Sequence, residues 1–232
     1  MNIGKRLETI GSKVPQDSVL ADIGTDHAYL PVWLLQQQRI QSAIAGDIAQ
    51  GPCEAAKKTV AAYGMKDKID VRCGSGLQIL RAGESDCIVI AGMGGSTIVD
   101  ILQADIKLAL QAKVLILQPM AGAPALRRWL CNNGWRLETE DLVAEGTHLY
   151  EIIVAVPGNS CQYTDVQLEA GPCLIAARHL LLSAQLTKII NAYKKMLASM
   201  GQSSQAMQSE KYRKISCLLV QLEELFDECK CS

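Results

Sequence analysis

Two rhythms of apolar and polar positions run along this chain. Ile3, Leu7, Ile10 and Val14 recur at helical spacing with Lys5, Arg6 and Lys13 between them, so residues 2–15 predict an amphipathic helix covering a sheet. Strand-like runs follow at about 18–24, 42–47, 68–74, 86–93 and 113–117, the first opening as a short apolar run of the kind that forms a buried parallel strand. Helix-compatible segments separate them, from Tyr29 to about Gln38, from Pro52 to Gly64, at Thr97–Leu102 and at Pro124–Asn132 ahead of Gly134. Two strand-like runs, 135–144 and 150–156, then flank Glu145-Gly146-Thr147-His148, which leaves no room for a helix and predicts antiparallel pairing. After Pro157-Gly158-Asn159-Ser160 the strand signal ends. Leu174 to Met200 and Ile215 to Phe226 carry apolar stripes on either side of the polar break 201–205, predicting an antiparallel pair of long helices. The expected organisation is an α/β domain over residues 1–158 and a helical hairpin over 159–232.

In open α/β sheets ligands bind outside the carboxyl ends of the strands. The first strand breaks at Gly24, which places Asp22, Gly24, Asp26 and His27 at such an end. Singly these read as a turn glycine, a helix N-cap and a partly buried histidine; together they favour a ligand loop. Asp47 closes the second strand, where an acid is placed to hydrogen-bond a ribose diol; the plainer reading is a turn or cap before Gly51-Pro52. Cys73-Gly74-Ser75-Gly76 ends the third strand and allows close backbone approach to a ligand. Gly92-Met93-Gly94-Gly95 ends the fourth, ahead of a helix whose amides it would leave open to a substrate. Met93 either fills the core or meets a flat aromatic ligand. Gln118-Pro119-Met120 closes the fifth strand.

Composition narrows this picture only in places. With 232 residues, 49% of them hydrophobic, the chain has enough for an α/β domain and an appendage. Only one Phe and three Trp are present, so the core is built from aliphatic residues. The formal net charge of −1 gives no overall argument for nucleic-acid binding, although Lys188, Lys194, Lys195, Lys211, Arg213 and Lys214 cluster near the connection of the predicted hairpin. Nine cysteines show no metal-type spacing, and Cys229-Lys230-Cys231 is incidental; reduced thiols in a cytoplasmic protein and no bound metal are the expectation. No apolar run reaches the ~20 residues of a membrane span.

Several segments carry a specific resemblance. Ala21-Asp-Ile-Gly-Thr-Asp-His-Ala-Tyr-Leu-Pro31, Ala45-Gly-Asp47 with Gly51-Pro52, Gly74-Ser-Gly-Leu77, Ile90-Ala-Gly-Met-Gly-Gly95, Leu117-Gln-Pro-Met120, Tyr150-Glu-Ile152 and Leu168-Glu-Ala-Gly-Pro172 resemble the bacterial tRNA (adenine-22, N1)-methyltransferase family. The resemblance implies a class I, Rossmann-like methyltransferase domain, with a seven-stranded sheet ending in an antiparallel hairpin, and a C-terminal coiled-coil hairpin. It implies S-adenosylmethionine as methyl donor and tRNA as substrate, methylated on N1 of adenine 22 in the D-arm region; the oligomeric state is not set by the sequence, a monomer being favoured. Asp22, Gly24, Asp47, Ile48, Gly74, Ser75, Gly76, Gly92 and Met93 would hold the cofactor. Asp26, His27 and Tyr29 would act on the base, Asp26 as counter-charge to the cationic product. Gly94, Gly95, Gln118, Pro119, Lys5, Arg6, Lys194 and Lys195 would contact the substrate. One departure stands out: the family's usual Gly-Asp-Gly is Gly74-Ser75-Gly76 here, which removes a charged acceptor for the adenine amino group of the cofactor. Two rival readings remain, a nicotinamide-dependent oxidoreductase, which lacks here the later glycines of G-x-G-x-x-G, and an RNA-binding protein on a degenerate methyltransferase fold.

Overall fold

One mixed sheet is built from β1 (Ser18–Ile23), β2 (Ile40–Asp47), β3 (Ile69–Cys73), β4 (Cys87–Met93), β5 (Val114–Pro119), β6 (Trp135–Glu145) and β7 (His148–Pro157). In this computed structural model, which describes residues 1–159 and 162–230, the spatial order is β3-β2-β1-β4-β5-β7-β6. Ser160, at the expected junction, and Cys231 lie outside the described residues. The first five strands pair parallel, and β7 inserts antiparallel between β5 and β6. Ile88-Val89-Ile90 and Leu115-Ile116-Leu117, at the centre, are fully buried, as strands covered on both faces require.

The helices that cover this sheet are α1 (Gly4–Lys13), α2 (Tyr29–Gln36), α3 (Gln50–Ala62), α4 (Gly95–Ala104), the single-turn α5 (Ile106–Ala109) and α6 (Ala123–Asn132). A 3-10 turn, Gly76–Ile79, follows β3. α6 ends at Asn133, and Gly134 takes the left-handed conformation (φ 86°) that terminates a helix. Arg127 on α6 is wholly buried, pairing through Nε with Glu140 of β6 at 2.5 Å and through Nη2 with Glu151 of β7 at 2.6 Å. Burial opposes its charge, but the two carboxylates outweigh that and hold the guanidinium above its ordinary pKa. The pair fastens the antiparallel hairpin to α6.

The chain divides into two compact units, Met1–Cys161 and Gln162–Ser232. Among its described residues the second contains helices and no strand: α7 (Asp165–Ala170), α8 (Pro172–Ala176), α9 (Leu182–Met200), the single-turn α10 (Ser204–Met207) and α11 (Glu210–Lys230). Thr164 and Gln167 form a reciprocal capping box at the start of α7, Gln167 N donating to Thr164 Oγ1 at 3.3 Å and Thr164 N to Gln167 Oε1 at 2.9 Å. α9 and α11 pack antiparallel, since Lys194 meets Glu223 at 2.7 Å while Thr187 shares a hollow with Asp227. The single helix expected over 174–200 is interrupted between Ala176 and Leu182. Arg178 there adopts φ 47°, which an α-helix cannot contain, and Leu180 is 97% exposed instead of continuing the apolar stripe. Among the described residues no helix is long and apolar enough to cross a membrane, and no cluster of metal-ligating side chains occurs.

Candidate active site at the strand tips

The turn after β1 is fixed by backbone. Gly24 N and Thr25 N both donate to Gly46 O, at 2.7 and 2.9 Å, drawing the ends of β1 and β2 together. Gly24 has φ 79°, and a Cβ there would collide with Met93 Cε, so the tip of β4 packs directly onto the glycine. Thr25 Oγ1 accepts from Ala28 N at 3.0 Å and so organises the start of α2, whose N-cap is Ala28 in a left-handed conformation. Asp26 is therefore not the helix cap. Its side chain is 76% exposed and its Oδ2 lies 3.3 Å from His27 Nε2. The His27 and Tyr29 rings stack, with centroids 5.0 Å apart and planes 12° from parallel.

Behind this turn sits Asp22, only 8% exposed. Burial raises its pKa to about 6, a hydrogen bond with Thr25 opposes the rise, and the charge of Asp47 adds to it. Asp47 ends β2 beside Cys73 of β3, and its Oδ1 accepts from Ala49 N at 2.8 Å, leaving Oδ2 for a ligand. Ile48, next in the chain, is 74% exposed, an apolar side chain held in solvent at a strand tip. Gly74 N donates to Asp47 O at 3.0 Å, which brings the Gly74-Ser75-Gly76 segment against the same loop. Ser75 is exposed and its hydroxyl caps nothing. An acid at each of two neighbouring strand tips, an exposed aliphatic side chain and a glycine cradle fit a nucleoside carrying an ammonium group.

On the other side of β1 the site is lined by β4, β5 and β7. Met120 N donates to Met93 O at 2.7 Å. Gln118 is fully buried, and its Oε1 accepts from Arg6 Nη1 at 2.6 Å while its Nε2 faces Met120 Sδ at 3.6 Å. The Arg6 guanidinium also lies over the Tyr150 ring, 5.5 Å from its centroid, and His148 stacks on Tyr150 at 5.7 Å. Gly92, with φ 79°, is exposed beside this group; a Cβ there would stand 3.9 Å from Arg6 Nη1.

The structure thus brings Asp22, Gly24, Asp26, His27, Tyr29, Asp47, Ile48, Gly74, Ser75, Gly76, Gly92, Met93, Gln118 and Pro119 to one edge of the sheet. Other expectations change. The Gly95 amide is not open to a substrate: it donates to Ala121 O at 2.7 Å, and a Cβ at Gly95 would stand 2.6 Å from Gly122 O, so this glycine serves close packing beside Gly94. Arg6 turns inward onto Gln118, leaving Lys5 exposed on α1, and Lys13 pairs with Asp141 at 2.7 Å. Lys194 and Lys195 lie in the second unit, where Lys194 is neutralised by Glu223. The thiols are not all reduced: Cys53 and Cys73 form a disulfide, because β2–β3 pairing sets the first turns of α3 beside the end of β3. Tyr150 and His148 escaped the candidate residues; Tyr150 stood in the Tyr-Glu-Ile segment, the one available signal.

An all-parallel nicotinamide-binding sheet runs 3-2-1-4-5-6. The antiparallel β7 between β5 and β6, with the acids at β1 and β2, defines instead a Rossmann-like methyltransferase domain. A family model for the methyltransferase domain matches residues 3–153. The chain is 33% identical to the tRNA (adenine(22)-N(1))-methyltransferase of Bacillus subtilis (strain 168), covering 98% of each. The crystal structure of the B. subtilis m1A22 tRNA methyltransferase TrmK superposes with a TM-score of 0.85 at 31% identity, covering 98% of both chains. That of Streptococcus pneumoniae Sp1610 in complex with S-adenosyl-L-methionine gives 0.82 at 31% identity, covering 97% of this chain and 100% of that one. The chain belongs to the tRNA (adenine(22)-N(1))-methyltransferase family.

Proposed function

We propose that this chain transfers a methyl group from S-adenosylmethionine to N1 of adenine 22 in tRNA, in the cytoplasm, using the first unit for the chemistry and the second to help hold the RNA. The observation that carries this reading is the pairing, at one sheet edge, of a two-acid nucleoside cradle with a stacked, solvent-facing His27–Tyr29 pair, within a chain related over its whole length to such enzymes. Asp47 would bind the ribose diol, Ile48 the adenine face, Gly74 and Ser75 the adenine edge, and Asp22 the ammonium end of the cofactor. Bound there, S-adenosylmethionine supplies a methyl group activated on a sulfonium.

A neutral adenine keeps its lone pair on N1, so no residue has to remove a proton before the methyl moves. The protein's tasks are alignment and stabilisation of the positive charge that appears on the base. The target base has to leave its stack to reach the strand tips. The rings of His27 and Tyr29 offer it a replacement stacking surface. Asp26 is the exposed carboxylate beside them and supplies the counter-charge once RNA excludes water from the loop. Arg6 fixes the Gln118 amide, whose Nε2 meets Met120 Sδ at the end of β5. Nucleoside mass spectrometry of unmodified tRNA incubated with the protein and S-adenosylmethionine tests the reading: N1-methyladenosine is expected, and its absence with a tRNA carrying adenine 22 would end it.

A further inference from the structure

Cys53 and Cys73, joined by a disulfide across a sequence separation of 20, sit where the proposed cofactor contacts converge. Cys53 lies in the first turn of α3, just after Asp47 and Ile48. Cys73 is the register partner of Asp47 and precedes Gly74 and Ser75. The bridge therefore ties the loop that follows β2 to the loop that follows β3. β3 is a fixed wall: Arg72 Nη1 donates to Ile79 O at 2.6 Å and to Glu84 Oε2 at 2.7 Å. The two sulfurs differ in access, Cys53 being 1% exposed and Cys73 exposed. In the bridged form Cys53 Sγ lies 3.2 Å from Asp47 O and 3.8 Å from Arg72 O, and Cys73 Sγ lies 3.8 Å from Ala49 O, so the bridge touches the backbone of both loops. A bridge with one sulfur reachable and the other sheltered has the layout of a reversible redox pair, the usual role of a disulfide in a reducing compartment.

We propose that Cys53 and Cys73 are a thiol–disulfide exchange site, reacting with a low-molecular-weight disulfide, whose state sets affinity for the cofactor. The exposed Cys73 thiolate attacks one sulfur of the small disulfide; a new S–S bond forms, the old one breaks, and one small thiolate leaves. The Cys53 thiolate then attacks Cys73 sulfur in the mixed disulfide and expels the second small thiolate. Two protein thiols are oxidised, one small disulfide is reduced to two thiols, and the two protons lost from the protein go to the leaving thiolates. Closing the bridge holds the Asp47–Ala49 loop against β3 before the ligand arrives, so the oxidised form binds better, by pre-organisation. The coupling is reciprocal, and the ligand equally protects the bridge from reduction.

The proposal rests on the cofactor reading above, and its test uses S-adenosylhomocysteine with the full chain. Calorimetry on protein equilibrated with oxidised or reduced glutathione should give an affinity about five- to tenfold tighter for the bridged form, the low end of coupling between two sites. The glutathione ratio that half-reduces the bridge, read by alkylation and mass spectrometry, should move by the same factor when the ligand saturates. Cys73→Ser, at an exposed position, should bind like the reduced form and ignore the glutathione ratio. Equal affinity in both states, or a bridge that never forms at any ratio, overturns the proposal while leaving the methyltransferase reading intact. No binding in either state overturns both.

Discussion

The two units of this chain differ in where their charged groups meet. The first buries part of its charge: Arg127 and Glu140 have no solvent exposure in their side chains and Asp22 is held in the dry end of β1, while Lys113–Asp86, Arg136–Glu138 and Asp26 lie at the surface. In the second, Lys194–Glu223 and Lys214–Glu210 are solvent-exposed pairs on α9 and α11. Buried charges are expensive unless answered, so their positions are tightly determined and each marks a structural joint or a site. Exposed pairs are screened and contribute little to stability. A buried, partly unanswered acid such as Asp22 is by this reasoning a candidate for chemistry. Within the basic cluster near the connection of the tail, Glu223 and Glu210 answer Lys194 and Lys214.

The comparison breaks first at Arg127. Arg127→Met strands Glu140 without its counter-ion, and the urea unfolding free energy should fall by about 3–5 kcal/mol. A loss under about 1 kcal/mol would mean that the hairpin is held by packing alone. Lys214→Ala, on the exposed helix, should leave the unfolding midpoint where it is.

Next in size is the loop that follows β1. Asp26→Ala should keep the fold and cofactor affinity, since the side chain is exposed, yet slow methyl transfer by about a hundredfold, the scale of one electrostatic group removed from a site. Near-normal single-turnover rates with saturating tRNA would remove Asp26 from the chemistry.

The buried acid gives a pH signature. With its folded pKa raised from 3.8 to about 6, Asp22 favours the folded state in its neutral form; that contribution is present below pH 3.8 and is lost as pH rises through about 6. At about 1.4 kcal/mol per pH unit the loss approaches 3 kcal/mol. Asp22→Asn, which cannot ionise, should gain on the wild type by about that amount between pH 4 and pH 7 in denaturation experiments. A difference that stays flat with pH would show that Asp22 titrates normally.

The smallest effect belongs to the tail. Lys195, Lys211 and Arg213 are exposed near the α9–α11 connection, and no acid among the described residues pairs with them as Glu223 and Glu210 pair with their lysines. Replacing Lys211 and Arg213 by Ala should weaken tRNA binding and reduce its log–log salt slope by about one for each phosphate no longer neutralised. An unchanged slope would assign this face to something other than RNA.

What could be read in advance follows the same division. Strand tips were legible because a buried parallel strand is an unbroken apolar run, and its end is marked where Gly24, Asp47 and Gly92-Met93 interrupt it. The hairpin was legible because Gly146 and three polar neighbours leave no room for a crossover. Pairings set by sheet order were not: nothing in the spacing of Cys53 and Cys73, or of Arg127, Glu140 and Glu151, announces that they meet, since this needs the arrangement of β2 beside β3 and of α6 on the β6–β7 hairpin. The break at Arg178 escaped because Leu180 to Leu182 keep the apolar count high while one left-handed residue turns the chain.

The most direct test of the central claim gives the protein two tRNA transcripts that differ at nucleotide 22 alone, adenine in one and guanine in the other, with S-adenosylmethionine labelled in its methyl group. Label is expected in the first transcript, recovered as N1-methyladenosine, and none in the second. Equal labelling of both, or none in either while S-adenosylhomocysteine still binds, would contradict it.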